Sequence, residues 1–161
     1  MRGLVRWSVH PDDCYARDVV VLKPLTVTAR PILLNGPPGS GKTTLAPLVA
    51  SRLGYELIDL DALIERETAS TIPELFAREG EGAFRARERD ALKRVLDRER
   101  AVVALGGGAL VDRAFRHEAL RRALVVSLDA PPEVLLARLG ASTPRPLVTS
   151  SPDPGAALRS L

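Results

Sequence analysis

Residues Gly36-Pro37-Pro38-Gly39-Ser40-Gly41-Lys42-Thr43 follow the pattern G-x-x-x-x-G-K-[ST]. Glycines in this pattern let the backbone curl so that successive N–H groups face inward as a concave nest for an anion. Lys42 adds a mobile positive charge able to reach β and γ phosphates, and the Thr43 hydroxyl can ligate Mg²⁺. The flanks supply the context the pattern needs. Ile32-Leu33-Leu34 reads as a short buried strand, and Thr44 to Leu53 carries Leu45, Leu48, Val49 and Leu53 at helical spacing before Gly54 ends it. Strand, loop and helix in this order imply a nucleoside triphosphate site; an ordinary glycine-rich turn is the competing reading. Gly36, Gly39, Ser40, Gly41, Lys42, Thr43 and Thr44 are its candidate contacts.

Further groups capable of chemistry lie downstream. Asp59-Leu60-Asp61 falls where a second strand is expected to end. At i and i+2 of an extended chain both carboxylates lie on the same side, so both can face the phosphates. One can hold Mg²⁺ through water and the other can take a proton from an attacking hydroxyl. Equally, Asp61 precedes Ala62-Leu63-Ile64-Glu65 and fits a helix N-cap. Arg85 and Glu88, three apart on a long helix, are either a solvated pair worth a few tenths of a kcal/mol or an anchor for an anionic substrate near the start of that helix. Gly106-Gly107-Gly108 follows an apolar strand and leaves no side chain above the backbone, so a ligand can approach closely. Residues 142–154, rich in Pro, Ser and Thr, contain Arg145-Pro146-Leu147. They read as a mobile loop able to fold over ATP with its arginine, or as a plain exposed loop.

The elements that must position these groups alternate from Pro31 onward. Strands are expected at 31–35, 55–59, 101–105 and 123–128, and helices at 42–53, 61–68, 73–79, 82–98, 113–121 and 132–139. Phe84, Ala91, Leu92, Val95 and Leu96 share one face of the longest helix, and Pro47 is expected to bend the first. Strands separated by helices imply an α/β fold with a parallel sheet and right-handed crossovers. Ligands on such sheets gather at the carboxyl ends of strands, where the phosphate loop, Asp59 and the glycine triplet all fall. Residues 1–30 read differently and fit an edge strand, a disordered leader or translated sequence upstream of the natural start.

Composition narrows the class. The 161 residues fit one domain, 45% hydrophobic and 27% charged, with a formal net charge of +3. No basic block suggests nucleic-acid binding, whereas a polyanion such as ATP suits the balance. The single Cys14 leaves no internal disulfide, and His10 and His117 are too far apart to suggest a zinc site. No apolar run approaches a membrane span and no secretory signal is evident, so a cytoplasmic protein is expected.

Taken together, these segments resemble shikimate kinase, a family in the nucleoside-monophosphate-kinase-like P-loop group. The resemblance covers residues 31–161. It rests on the phosphate loop, Ile58-Asp59-Leu60-Asp61 with Ile64-Glu65, Ile72-Pro73-Glu74-Leu75-Phe76, Gly80-Glu81, Phe84-Arg85 with Glu88, the glycine triplet and Arg145-Pro146-Leu147. It implies a three-layer P-loop NTPase fold and ATP-dependent phosphorylation of the shikimate 3-hydroxyl in the chorismate route to aromatic amino acids. Carried over, Lys42 steadies the phosphates, and Thr43 with Asp59 holds Mg²⁺. Asp61 contacts the acceptor hydroxyls and serves as base. Arg85 pairs with the acceptor carboxylate and Glu88 orients it, while Gly106, Gly107 and Gly108 line the acceptor pocket. Arg138 matches an arginine that stacks on adenine, and Arg145 matches the catalytic arginine of a lid near 141–152. The resemblance also implies that the last strand and helix, and a second substrate arginine, are missing, so weak activity and reduced stability are expected. A monomer is expected, or part of a fused polypeptide. The alternatives are a catalytically impaired nucleotide-binding fragment and a kinase of another small hydroxylated metabolite.

Overall fold

Four strands of four residues each form the sheet in the computed structural model, which describes residues 29–140: β1 (Ile32–Asn35), β2 (Glu56–Asp59), β3 (Ala101–Ala104) and β4 (Leu124–Ser127). All pairings are parallel, in the order β2-β3-β1-β4. The two inner strands are buried on both faces, which is why they read as continuous apolar runs. Ile32, Leu34, Val102 and Ala104 face α1 (Lys42–Leu53), where they meet Ala46 and Ala50. Leu33, Ala101 and Val103 face the opposite layer of α2 (Leu60–Thr68), α3 (Ile72–Leu96) and α4 (Arg113–Arg122). After β4 the chain enters α5 (Pro132–Gly140). The expected α/β P-loop architecture is therefore present, with strand and helix ends within a few residues of those anticipated.

Two expectations about helices need refinement. The apolar face of α1 is not the leucine stripe, since Leu48 is 63% exposed and Leu53 40% exposed. The small residues Ala46 and Ala50 bring the helix close to the sheet, with Leu45 and Val49 packed beside them. Pro47 is accommodated inside the helix at an exposed position.

The expected break between the third and fourth helices takes the form of a kink. Gly80 (φ 79°, ψ 170°) interrupts α3, a conformation that disfavours any residue with a Cβ. The start of α3 is fixed by a capping box, in which Thr71 Oγ1 accepts from Glu74 N–H while the Glu74 carboxylate accepts from Thr71 N–H.

No helix among the described residues is long and apolar enough to cross a membrane. Residues 1–28 and 141–161 lie outside the described residues. With them lie the expected N-terminal extension (1–30, except Ala29 and Arg30), the lid near 141–152 with Arg145, Cys14 and His10.

Candidate active site

The phosphate loop is built by β1 ending at Asn35 and α1 starting at Lys42. Between them Gly36, Gly39 and Gly41 take φ values of 142°, 80° and 97°, which curl the chain without a Cβ penalty. The N-cap of α1 is Gly41, with no side-chain cap; its carbonyl accepts from Thr44 N–H at 3.1 Å and Leu45 N–H at 2.9 Å, and the helix N-terminus it opens favours an anion. Lys42 is 7% exposed. Its Nζ donates to the carbonyls of Gly36 (2.6 Å) and Pro37 (2.9 Å) and to Ser40 Oγ (3.5 Å), which holds the ammonium within the curl. A cleft of about 820 Å³ opens over this loop and includes Gly39, Ser40, Thr43, Thr44, Asp59, Asp61 and Arg138 in its walls. Arg138 reaches from α5 to donate to the Gly39 carbonyl at 3.2 Å.

The two aspartates do not lie along an extended chain. Asp59 ends β2 and Asp61 sits in the first turn of α2, yet both line the cleft. The cap of α2 is Asp59, not Asp61: its Oδ1 accepts from Ala62 N–H at 3.1 Å. The helix begins one residue earlier than expected, and the capping role falls two residues back, on Asp59.

Each residue of the glycine triplet lies against a different part of the site. A Cβ on Gly106 would stand 2.8 Å from Glu88 Oε1 and 2.9 Å from Asp61 Oδ1. On Gly107 it would stand 3.0 Å from Pro38 Cδ in the phosphate loop, and on Gly108 2.5 Å from Arg85 Nη2. The carboxylates, the phosphate loop and the guanidinium are thus lined up along three consecutive residues at the end of β3.

Arg85 and Glu88 are not a solvated pair. The Glu88 side chain is 4% exposed and its Oε2 accepts from Arg85 Nη1 at 2.6 Å. Its Oε1 is buried without a hydrogen-bond partner among the described residues. Burial pushes the Glu88 carboxyl above the usual carboxylate range; Arg85 pulls it back in part, and the neighbouring Asp61 charge pushes it further up. The Arg85 guanidinium also lies 5.5 Å from the Phe84 ring centroid and meets Glu81 Oε1 through Nε and Nη2 at 3.4 Å each.

Against this geometry, the sequence model of the shikimate kinase family matches residues 38–161. The chain belongs to the shikimate kinase family. It is 43% identical to the shikimate kinase of Salinibacter ruber over 145 residues, covering 89% of this chain and 71% of the relative. It is 50% identical to that of Chlorobium chlorochromatii over 119 residues, covering 73% of this chain and 62% of the relative. It therefore spans roughly two thirds of the length of these relatives. A solved shikimate kinase from Acinetobacter baumannii, in complex with shikimate, superposes with a TM-score of 0.76 at 41% identity, covering 82% of this chain and 73% of the other.

For a shikimate kinase homologue, the described part of the site assembles most of the residues read from sequence. Gly36, Gly39, Ser40, Gly41, Lys42, Thr43 and Thr44 form the loop and first turn, with Asp59, Asp61 and Arg138 in the same cleft. Glu88 and Gly106 stand beside Asp61, Gly107 lies against Pro38, and Gly108 lies against Arg85. Arg145 lies outside the described residues. Sequence reasoning passed over Pro38 as a contact of the triplet and Glu81 as a partner of Arg85. The i,i+4 spacing of Glu81 and Arg85 was the available signal for the second.

Proposed function

We propose that this chain transfers the γ-phosphoryl group of ATP to the 3-hydroxyl of shikimate, giving ADP and shikimate 3-phosphate. The observation that carries the reading is the glycine triplet, which sets Asp61 and Arg85 on either side of the point where it meets Pro38 of the phosphate loop. This arrangement supports a donor held by its phosphates beside an acceptor held by a carboxylate and a guanidinium. The complex of the A. baumannii relative with shikimate supports the acceptor.

In this proposal the loop N–H groups and Lys42 hold the β and γ phosphates, and Arg85, steadied by Glu88, takes the acceptor carboxylate. Asp61 accepts the proton of the attacking hydroxyl while the new O–P bond forms and the bond from the γ-phosphorus to the β–γ bridging oxygen breaks, releasing ADP. Arg138 from α5 and Arg145 complete the nucleotide side. Among the described residues no three His, Cys, Asp or Glu side chains form a metal cluster. Mg²⁺ fits this site through one or two protein ligands plus phosphates, as Mg²⁺ does elsewhere, and Thr43 and Asp59 in the same cleft would hold it. When held there it would supply positive charge against the charge that develops on the transferring phosphoryl group. The protein is proposed to act as a cytoplasmic monomer.

The deciding experiment measures ADP release with Mg·ATP in the presence and absence of shikimate. Release that depends on shikimate and falls at least a hundredfold in Asp61→Asn is expected, since a positioned general base contributes on the order of 10²–10⁴-fold. ADP release indifferent to shikimate, or an undiminished rate in Asp61→Asn, would overturn the proposal. The nucleotide-binding-only alternative and a different acceptor have no observation in their favour.

A further inference from the structure

The Arg85 guanidinium has two edges, and both are in use. Nη1 donates to Glu88 at 2.6 Å. The Nε–Nη2 edge, the side on which an arginine takes a carboxylate through two bonds, faces Glu81 Oε1 at 3.4 Å from each nitrogen. The two carboxylates differ in how firmly they are held. Glu88 is 4% exposed and close, whereas Glu81 is 58% exposed and distant. Glu81 also follows Gly80, the non-helical residue that divides α3, so it sits at the first position of the second helical segment.

We infer that Glu81 is an internal stand-in for the carboxylate of the acceptor. It covers the outer edge of Arg85 until an acid of the substrate's kind displaces it. Glu88 on one side, the Phe84 ring and the backbone of Gly108 keep the guanidinium in place when Glu81 leaves. The exchange replaces one carboxylate by another, so it is open to an anionic acceptor. A neutral analogue offers Arg85 nothing in return for Glu81 and gains nothing from this arginine. Glu81 in this sense competes with anionic acceptors for Arg85 and weakens their binding slightly, while an acceptor that makes no bond to Arg85 is untouched by it. This inference rests on the assignment of Arg85 to the acceptor carboxylate made above.

Calorimetric titration of the full chain with shikimate, and separately with its methyl ester, tests it. Glu81→Gln and Glu81→Ala are expected to bind shikimate roughly two- to fivefold more tightly than the parent, the range set by measured strengths of exposed ion pairs. The ester is expected to bind no more tightly to the variants than to the parent. In an Arg85→Ala background, Glu81→Gln should change shikimate binding by less than a factor of two. Unchanged or weaker shikimate binding in both Glu81 variants, or an equal gain for the ester, overturns the role of Glu81 alone. A parent chain that binds no shikimate overturns the acceptor assignment and this inference with it.

Discussion

Glu88 accepts a 2.6 Å hydrogen bond from Arg85 through Oε2 while its Oε1 lies buried at the Gly106 backbone, next to Asp61, with no hydrogen-bond partner among the described residues. A half-satisfied buried carboxylate is unfavourable by itself, since an unmade hydrogen bond carries the desolvation cost of the group. Its compensation is positional: it fixes a guanidinium whose other edge faces outward.

Truncating that carboxylate separates the two roles. Glu88→Ala leaves Arg85 without its shortest hydrogen bond, and is expected to raise the shikimate KM about tenfold, with about 1–3 kcal/mol lost in urea unfolding. The lower end is favoured because the Arg85 side chain keeps 21% of its surface in water. A variant with unchanged KM removes Glu88 from the positioning of Arg85.

Titration gives an independent handle on the same group. The Glu88 pKa is raised in the folded state, chiefly by burial, so the folded protein binds its proton more tightly than the unfolded chain. Its contribution to stability is present below the unfolded carboxylate pKa and is lost as pH rises through the raised folded value. Between those two values the stability of the parent should fall with pH relative to Glu88→Gln, which has no such proton. Denaturant unfolding of both proteins across the acid-to-neutral range measures this difference, and parallel curves would contradict it.

Asp59 lines the phosphate cleft and caps α2 at once, and two substitutions part those functions. Asp59→Asn retains a capping oxygen and should unfold within about 0.5 kcal/mol of the parent, whereas Asp59→Ala should lose about 1 kcal/mol. Both should need more Mg²⁺ for half-maximal turnover. An unaltered Mg²⁺ requirement in Asp59→Asn would leave Asp59 as a cap only.

Glycine substitutions should differ according to what the new methyl group meets. On Gly36 it would run into the Leu128 carbonyl, a backbone group, at a φ of 142° that side chains rarely adopt. Gly36→Ala should therefore cost about 2–6 kcal/mol in stability, through backbone strain plus overpacking. On Gly106 the methyl would meet the ends of two side chains, Glu88 and Asp61, which can rotate away. Gly106→Ala should keep most of the stability and lose shikimate-dependent turnover instead. Thermal unfolding beside the kinase assay distinguishes the two patterns.

Much of this arrangement was readable before any coordinates. The buried strands announced themselves as apolar runs, the phosphate loop by its glycine spacing, and the helix break by Gly80. Burial of Glu88 was also legible in principle, because it falls on the stripe formed by Phe84, Ala91, Leu92 and Val95. What local pattern could not show was contact between distant segments. The packing of Pro38 on Gly107 and of Arg85 on Gly108 depends on how β1, β3 and α3 meet, which no window of sequence contains. The exposure of Leu48 and Leu53 was not legible for a related reason. Helical spacing identifies a candidate face, but the closeness allowed by Ala46 and Ala50 decided which face turned inward.

The inner position of β1 bears on how the molecule is made. Ile32 pairs with Val102 on one side and Leu124 on the other, so the first of the described strands to leave the ribosome has both of its neighbours far downstream. Pairing across such separations is slow because long loops must close before any contact forms. The phosphate loop, hung from the end of β1, cannot be braced on both flanks until β4 has been synthesised. A nascent chain must therefore carry β1 unpaired until β3 has been made and half-paired until β4 has, when it is most open to aggregation and least able to be rescued by nucleotide.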